Sequence, residues 1–134
     1  MLRQVIQQNN TTITNRTNGR PYIKGLPFDD IKSKILGKKY ELSLVFIEDK
    51  YSKQLNKKYR NKNKPTNVLA FPISDIYGEI FINVDSIKRE YLNFTESRKQ
   101  FIGYLFIHSL FHLKGYSHGS KMEKEEKIIR DKFL

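Results

Sequence analysis

β-rich segments in the middle of the chain, followed by helical segments toward its end, predict an α+β or mixed layered domain. Two further observations agree with that class. The chain has 134 residues, near the commonest size of one domain, and residues 1–134 read as a single unit. Its most apolar stretch, Phe101 to Leu113, is apolar on nearly every side of a helix, the pattern of a buried central helix.

Each element has a local reason. Arg3 to Gln7 carries a weak strand signal, and the polar, Thr-, Asn- and Gly-rich stretch Asn9 to Gly25 reads as a loop or a hairpin. Pro27-Phe28-Asp29-Asp30 opens a short helix that Gly37 stops: Pro suits a first turn and two Asp suit its positive end. Glu41 to Glu48 is apolar and β-rich, so it reads as a strand. Lys50 to Arg60 reads as a short helix with a basic face. Asn67 to Pro72 is a second strand, and Pro72, which has no N–H, belongs at a strand end or on an open edge. Ser74 to Tyr77 turns the chain. Gly78 to Val84 alternates as a third strand, with Ile80, Ile82 and Val84 on one face and Glu79, Phe81 and Asn83 on the other. A helix begins at Asp85. Thr95-Glu-Ser-Arg98 resembles a cap for the central helix, which runs to about Lys114 and stops at Gly115. Met122 to Lys132 forms a last charged helix, with Ile128 and Ile129, and Phe133 just beyond, as inward contacts.

Composition narrows the chemistry. There is no Cys, which excludes disulfides, thiolate metal sites and Cys nucleophiles. No early stretch resembles a secretory h-region, and Phe101 to Leu113 is too short to cross a bilayer. The expectation is a soluble, cytoplasmic protein with no membrane partner. Lys plus Arg number 25 against 14 Asp plus Glu, a formal net charge of +11. Codon bias alone enriches Lys, Asn and Ile, but the excess also favours a polyanionic partner. It concentrates at Lys50, Lys53, Lys57, Lys58, Arg60, Lys62 and Lys64.

All three His fall in one window, His108-Ser-Leu-Phe-His112-Leu-Lys-Gly115-Tyr-Ser-His118. His108 and His112 lie one turn apart on one helix face. Gly115 can take a left-handed conformation and swing His118 back beside them. Three imidazoles around one point, with a fourth position for water, are what a tetrahedral catalytic zinc needs. The plainer reading is three packed or surface His, but unpartnered buried imidazoles would each cost about 1–3 kcal/mol. The same spacing serves metzincin peptidases, which require Glu after the first His. That position is Ser109, which disfavours a peptidase.

The His108–His118 segment resembles the signature His-Gly-x-Leu-His-Leu-x-Gly-Tyr-Asp-His of the YbeY family, bacterial zinc-dependent endoribonucleases that mature ribosomal RNA. Thr66-Asn-Val-Leu-Ala-Phe-Pro72 resembles that family's Thr-Asp-Val-Leu-Ser-Phe-Pro, and Gly78-Glu-Ile80 its Gly-Asp-Ile. Arg60 matches the position of the family's functional Arg. The resemblance runs from about Glu41 onward. It implies a small α+β domain, a mixed sheet packed with helices, and one zinc ion on His108, His112 and His118. It also implies catalytic roles for His108 and Arg60, the latter at an RNA phosphate, in ribosomal RNA maturation and ribosome quality control. The partners implied are RNA, in particular a ribosomal RNA precursor, and ribosomal proteins. Lys57, Lys58, Lys62 and Lys64, with Arg60, would hold the RNA backbone without reading sequence.

The departures are Ser109 for Gly, Phe111 for Leu, Ser117 for Asp, Asn67 for Asp, Ala70 for Ser and Glu79 for Asp. Ser117 removes an acid from beside the third His, and Glu79 is a candidate carboxylate near the site. The loss at Ser117 keeps open a second reading: a zinc-stabilised RNA-binding or ribosome-assembly factor with little catalysis.

Overall fold

The computed structural model describes residues 4–134. Strand β1 (Gln4–Gln8) and strand β2 (Thr11–Asn15) form a hairpin, followed by helix α1 (Phe28–Leu36), strand β3 (Glu41–Ile47) and helix α2 (Asp49–Arg60). Strands β4 (Val68–Ser74) and β5 (Tyr77–Asn83) form a second hairpin. Helices α3 (Val84–Glu90), α4 (Arg98–Lys114) and α5 (Ser120–Phe133) complete the chain, with a 3-10 turn at Tyr91–Asn93 between α3 and α4. The five strands make one mixed sheet in the order β1-β2-β3-β5-β4. The two hairpins pair antiparallel, while β2–β3 and β3–β5 pair parallel.

The sheet has helices on both faces, which is why β3 is almost continuously apolar. Leu42, Leu44 and Phe46 of β3 join Ile80 and Ile82 of β5 under α1, α4 and α5. The alternate residues Val45, Ile47 and Phe81 pack with Leu69 and with Leu55 of α2 on the other side. Helix α4 is buried as expected: Phe101, Ile102, Phe106, Ile107 and Leu110 are all at most 1% exposed. A Cβ on Gly78 would run into Tyr40 Oη and Leu113, so β5 needs glycine where α4 crosses it.

Four local expectations are refined. The polar stretch after Asn9 contains a true strand, β2, because Thr11, Ile13 and Asn15 turn inward while β3 covers its edge. Arg3 lies outside the described residues. Pro72 sits within β4 rather than at its end, on the open edge of the sheet where its missing N–H costs no ladder bond. The cap of α4 is Ser97, whose Oγ accepts from Gln100 N–H, while Gln100 Oε1 accepts from Glu96 N–H. In α5, Ile128 is 57% exposed; the inward residues are Met122, Glu126 and Ile129, with Phe133 against the core. Their spacing follows the helical period, which passes through 126 and not 128.

Candidate metal centre

His108 and His112 project from one side of α4, with ring centroids 4.6 Å apart. That side faces the edge strand: Val68 and Ala70 of β4 line the same cavity as the rings. The helix ends at Gly115, whose φ of 105° lies in the left-handed region that favours glycine. Gly115 N–H donates to His112 O and Tyr116 N–H to Phe111 O, each at 3.0 Å, closing the last turn. The chain then brings His118 back, its ring centroid 4.5 Å from that of His112 and 5.1 Å from that of His108. One ring nitrogen from each histidine lies within 4.8 Å of the others.

The outer nitrogens of the first two rings are already engaged. His108 Nδ1 lies 2.9 Å from Glu126 Oε2 and 3.3 Å from Oε1, and His112 Nδ1 lies 3.2 Å from the Tyr116 carbonyl. Both partners accept, so in neutral rings each Nδ1 carries the proton and each Nε2 keeps a lone pair. The two Nε2 atoms are 3.1 Å apart. Two lone pairs at that distance repel, and a cation between them turns repulsion into ligation. Zinc–nitrogen bonds of about 2.0–2.1 Å would set tetrahedral N···N separations of ~3.3 Å. Burial, and then the neighbouring His108 and His118, lower the pKa of His112 and favour the neutral form that ligates. The donor set fits a divalent metal of the imidazole-binding kind.

Arg60 lines the cavity of about 290 Å³ that the three His and Ser109 also line. It is the last residue of α2, which Asn61 terminates in a left-handed conformation, φ 57°. The segment beyond is tied back to the helix. Asn56 Nδ2 donates to Lys64 O, and Ser52 Oγ both donates to Thr66 O and accepts from Thr66 N–H. Lys57, Lys58, Lys62 and Lys64 are exposed around this frame and do not line the histidine cavity. Ser109 is buried and spends its hydroxyl on Leu105 O.

Glu79 does not reach the histidines. It faces the α2 side of the sheet and accepts from Tyr77 Oη. The carboxylate at the site is Glu126 of α5, a residue that sequence reasoning passed over; its side chain is 6% exposed. The inward spacing of Met122, Glu126 and Ile129 was the available signal.

Fold and site together define a class: a small α+β protein with three imidazoles converging beside an arginine at the edge of a mixed sheet. The family model described as Endoribonuclease YbeY matches residues 6–133, and the chain belongs to that family. It is 34% identical over 103 residues to the Endoribonuclease YbeY of Acholeplasma laidlawii, covering 74% of this chain and 72% of the relative. It is 38% identical over 98 residues to that of Nautilia profundicola, covering 67% and 70%. The solution structure of TM1509 from Thermotoga maritima superposes with a TM-score of 0.60 at 25% identity, covering 90% of this chain and 88% of that one.

Proposed function

We propose that the protein is a metal-dependent endoribonuclease that holds one zinc ion at His108, His112 and His118 and hydrolyses single-stranded RNA. The observation that carries this reading is the convergence of three imidazoles and Arg60 in one cavity of a family named for RNA cleavage. A divalent ion held by these three imidazoles would supply Lewis acidity and a water nucleophile near neutral pH. Glu126 holds His108 in the tautomer that presents Nε2. The planar guanidinium of Arg60 pairs with phosphate oxygens and offsets the negative charge that gathers on phosphorus. Lys57, Lys58, Lys62 and Lys64 capture the backbone electrostatically. The biological substrate in this reading is a ribosomal RNA precursor, cut in the cytoplasm during maturation and quality control alongside ribosomal proteins.

Ser117 favours a second reading, a zinc-stabilised assembly factor that binds RNA with little catalysis, because no acid stands beside the third His. Zinc-loaded protein incubated with structured RNA and, separately, with casein distinguishes these readings. Internal cleavage of RNA and intact casein are expected. RNA that is bound and never cut would replace the first reading with the second, and digested casein would overturn both.

A further inference from the structure

On the α2 face of the sheet the aromatic rings form a row. Tyr51 meets Phe81 edge-on, at 6.2 Å between centroids, and Phe81 meets Phe71 at 5.9 Å. Phe71 meets Tyr59 at 5.2 Å, tilted by 58°. The row emerges from the core: Phe81 is 9% exposed and Tyr59 is 57% exposed. Tyr59 is therefore not needed to close the core, yet its ring is backed by Phe71 of the edge strand. A ring supported from behind offers a flat surface at little entropic cost.

The surroundings of that ring are cationic. Lys58 Nζ stands over the ring, 5.2 Å from its centroid, a contact that a stacking base would displace, and the next residue after Tyr59, Arg60, lines the histidine cavity. Consecutive Cα atoms are about 3.8 Å apart, so ring and guanidinium start from neighbouring points. From Lys50 to Ser74 the sequence holds seven Lys or Arg and no Asp or Glu. A ligand for this edge must carry repeated negative charge and a planar face. Single-stranded nucleic acid offers both, whereas a duplex hides its base faces within the stack. An added peptide strand is disfavoured, because Pro72 has no N–H to offer at this edge.

We propose that Tyr59, backed by Phe71, is a stacking platform for an unpaired nucleobase of the RNA whose backbone phosphate lies at Arg60. This rests on the RNA reading above and adds to it a base subsite outside the histidine cavity. The platform is tolerant of base identity, since every base presents a π face, and selects unpaired over paired nucleotides.

The sequence contains no Trp, so Tyr59→Trp provides a single reporter at the platform. The metal-loaded protein is titrated with a 2′-O-methyl adenosine oligonucleotide, whose length is verified after each titration, and with inorganic polyphosphate as a phosphate-only probe. Quenching of the Trp emission by the oligonucleotide and not by polyphosphate is expected. Tyr59→Ala is expected to lose about tenfold in oligonucleotide affinity, to hold polyphosphate as wild type does, and to be rescued by Tyr59→Phe. Unchanged oligonucleotide affinity in Tyr59→Ala, in a wild type that binds and cuts RNA, would remove the platform and leave the nuclease reading standing. Wild type that binds neither the oligonucleotide nor RNA would overturn both.

Discussion

Glu126 Oε2 lies 2.9 Å from His108 Nδ1, so a buried carboxylate on α5 holds the first histidine of α4. The contact links the helix that carries two of the candidate ligands, His108 and His112, to one that carries none of them. It fixes which nitrogen of His108 faces the cavity, and with it the charge next to the centre.

Glu126→Gln keeps the shape and removes the charge. Metal affinity, measured by competition with a coloured chelator, should fall about tenfold to a hundredfold. Glu126→Leu leaves the His108 Nδ1 proton unpartnered and should lower the stability of the metal-free protein by about 1–3 kcal/mol. Wild-type affinity in both variants would show that the contact does not tune the centre.

Protein purified without chelator should contain close to one divalent metal per chain by elemental analysis. His112→Ala should reduce it to traces, because the remaining two imidazoles no longer surround a point. Since His118 comes from the turn after α4, metal should also tie that turn to the helix, and a chelator should lower Tm. An unchanged Tm after verified metal removal would refute the stabilising role.

Asp49 gives a pH dependence independent of the histidines. Arg89 donates to both its oxygens, at 2.7 and 2.9 Å, and Asn83 Nδ2 adds a third bond at 2.8 Å. The Arg89 hydrogen bonds, opposed by burial and aided by Asn83, hold its carboxyl below the ordinary Asp range. The unfolded chain therefore binds more protons between the unfolded pKa, about 3.9, and the lower folded value. This stabilisation is complete above that window and is lost as pH falls through the folded pKa. The pair is partly exposed, so its size is at most about 1 kcal/mol. Asp49→Asn should flatten the fall in Tm below about pH 4, read by thermal melts across an acid series.

Neutralising Lys57, Lys58, Lys62 and Lys64 should weaken RNA binding and flatten its salt dependence, by about 0.7 in log–log slope for each phosphate that is no longer neutralised. Arg60→Ala should lower single-turnover cleavage more than binding, because in the proposed mechanism several cations would share the affinity while the reacting phosphate would depend on this one guanidinium. His108→Ala should retain most RNA affinity and lose cleavage. Equal losses of binding and cleavage in every variant would make the centre purely structural.

Periodicity makes much of this molecule legible. The central helix, its stop at Gly115 and the alternation in β5 follow directly from sequence, because burial on one face of a regular element leaves a repeat of fixed period. Strand β2 escapes because two of its inward residues, Thr11 and Asn15 beside Ile13, are polar, so no apolar alternation marks its buried face. Thr11 Oγ1 donates to Asp29 of α1, and Asn15 Oδ1 accepts from Thr17. Hydrophobicity alone points Ile128 inward, although the helical repeat set by Met122 and Ile129 leaves it outside.

The sequence by itself determined the candidate ligands, since the separation of His108 and His112 and the glycine before His118 are local facts that a helix and a turn translate into geometry. Only the tertiary structure decided what stands around them. Glu126 meets His108 because α5 packs back along α4, and no spacing rule joins residues on different helices. Arg60 lines the same cavity as the rings because α2 ends near the edge strand β4, whose Val68 and Ala70 also line it. Glu79, beside Gly78 and Ile80 in β5, was sent to the far side of the sheet by the two-residue period of its strand.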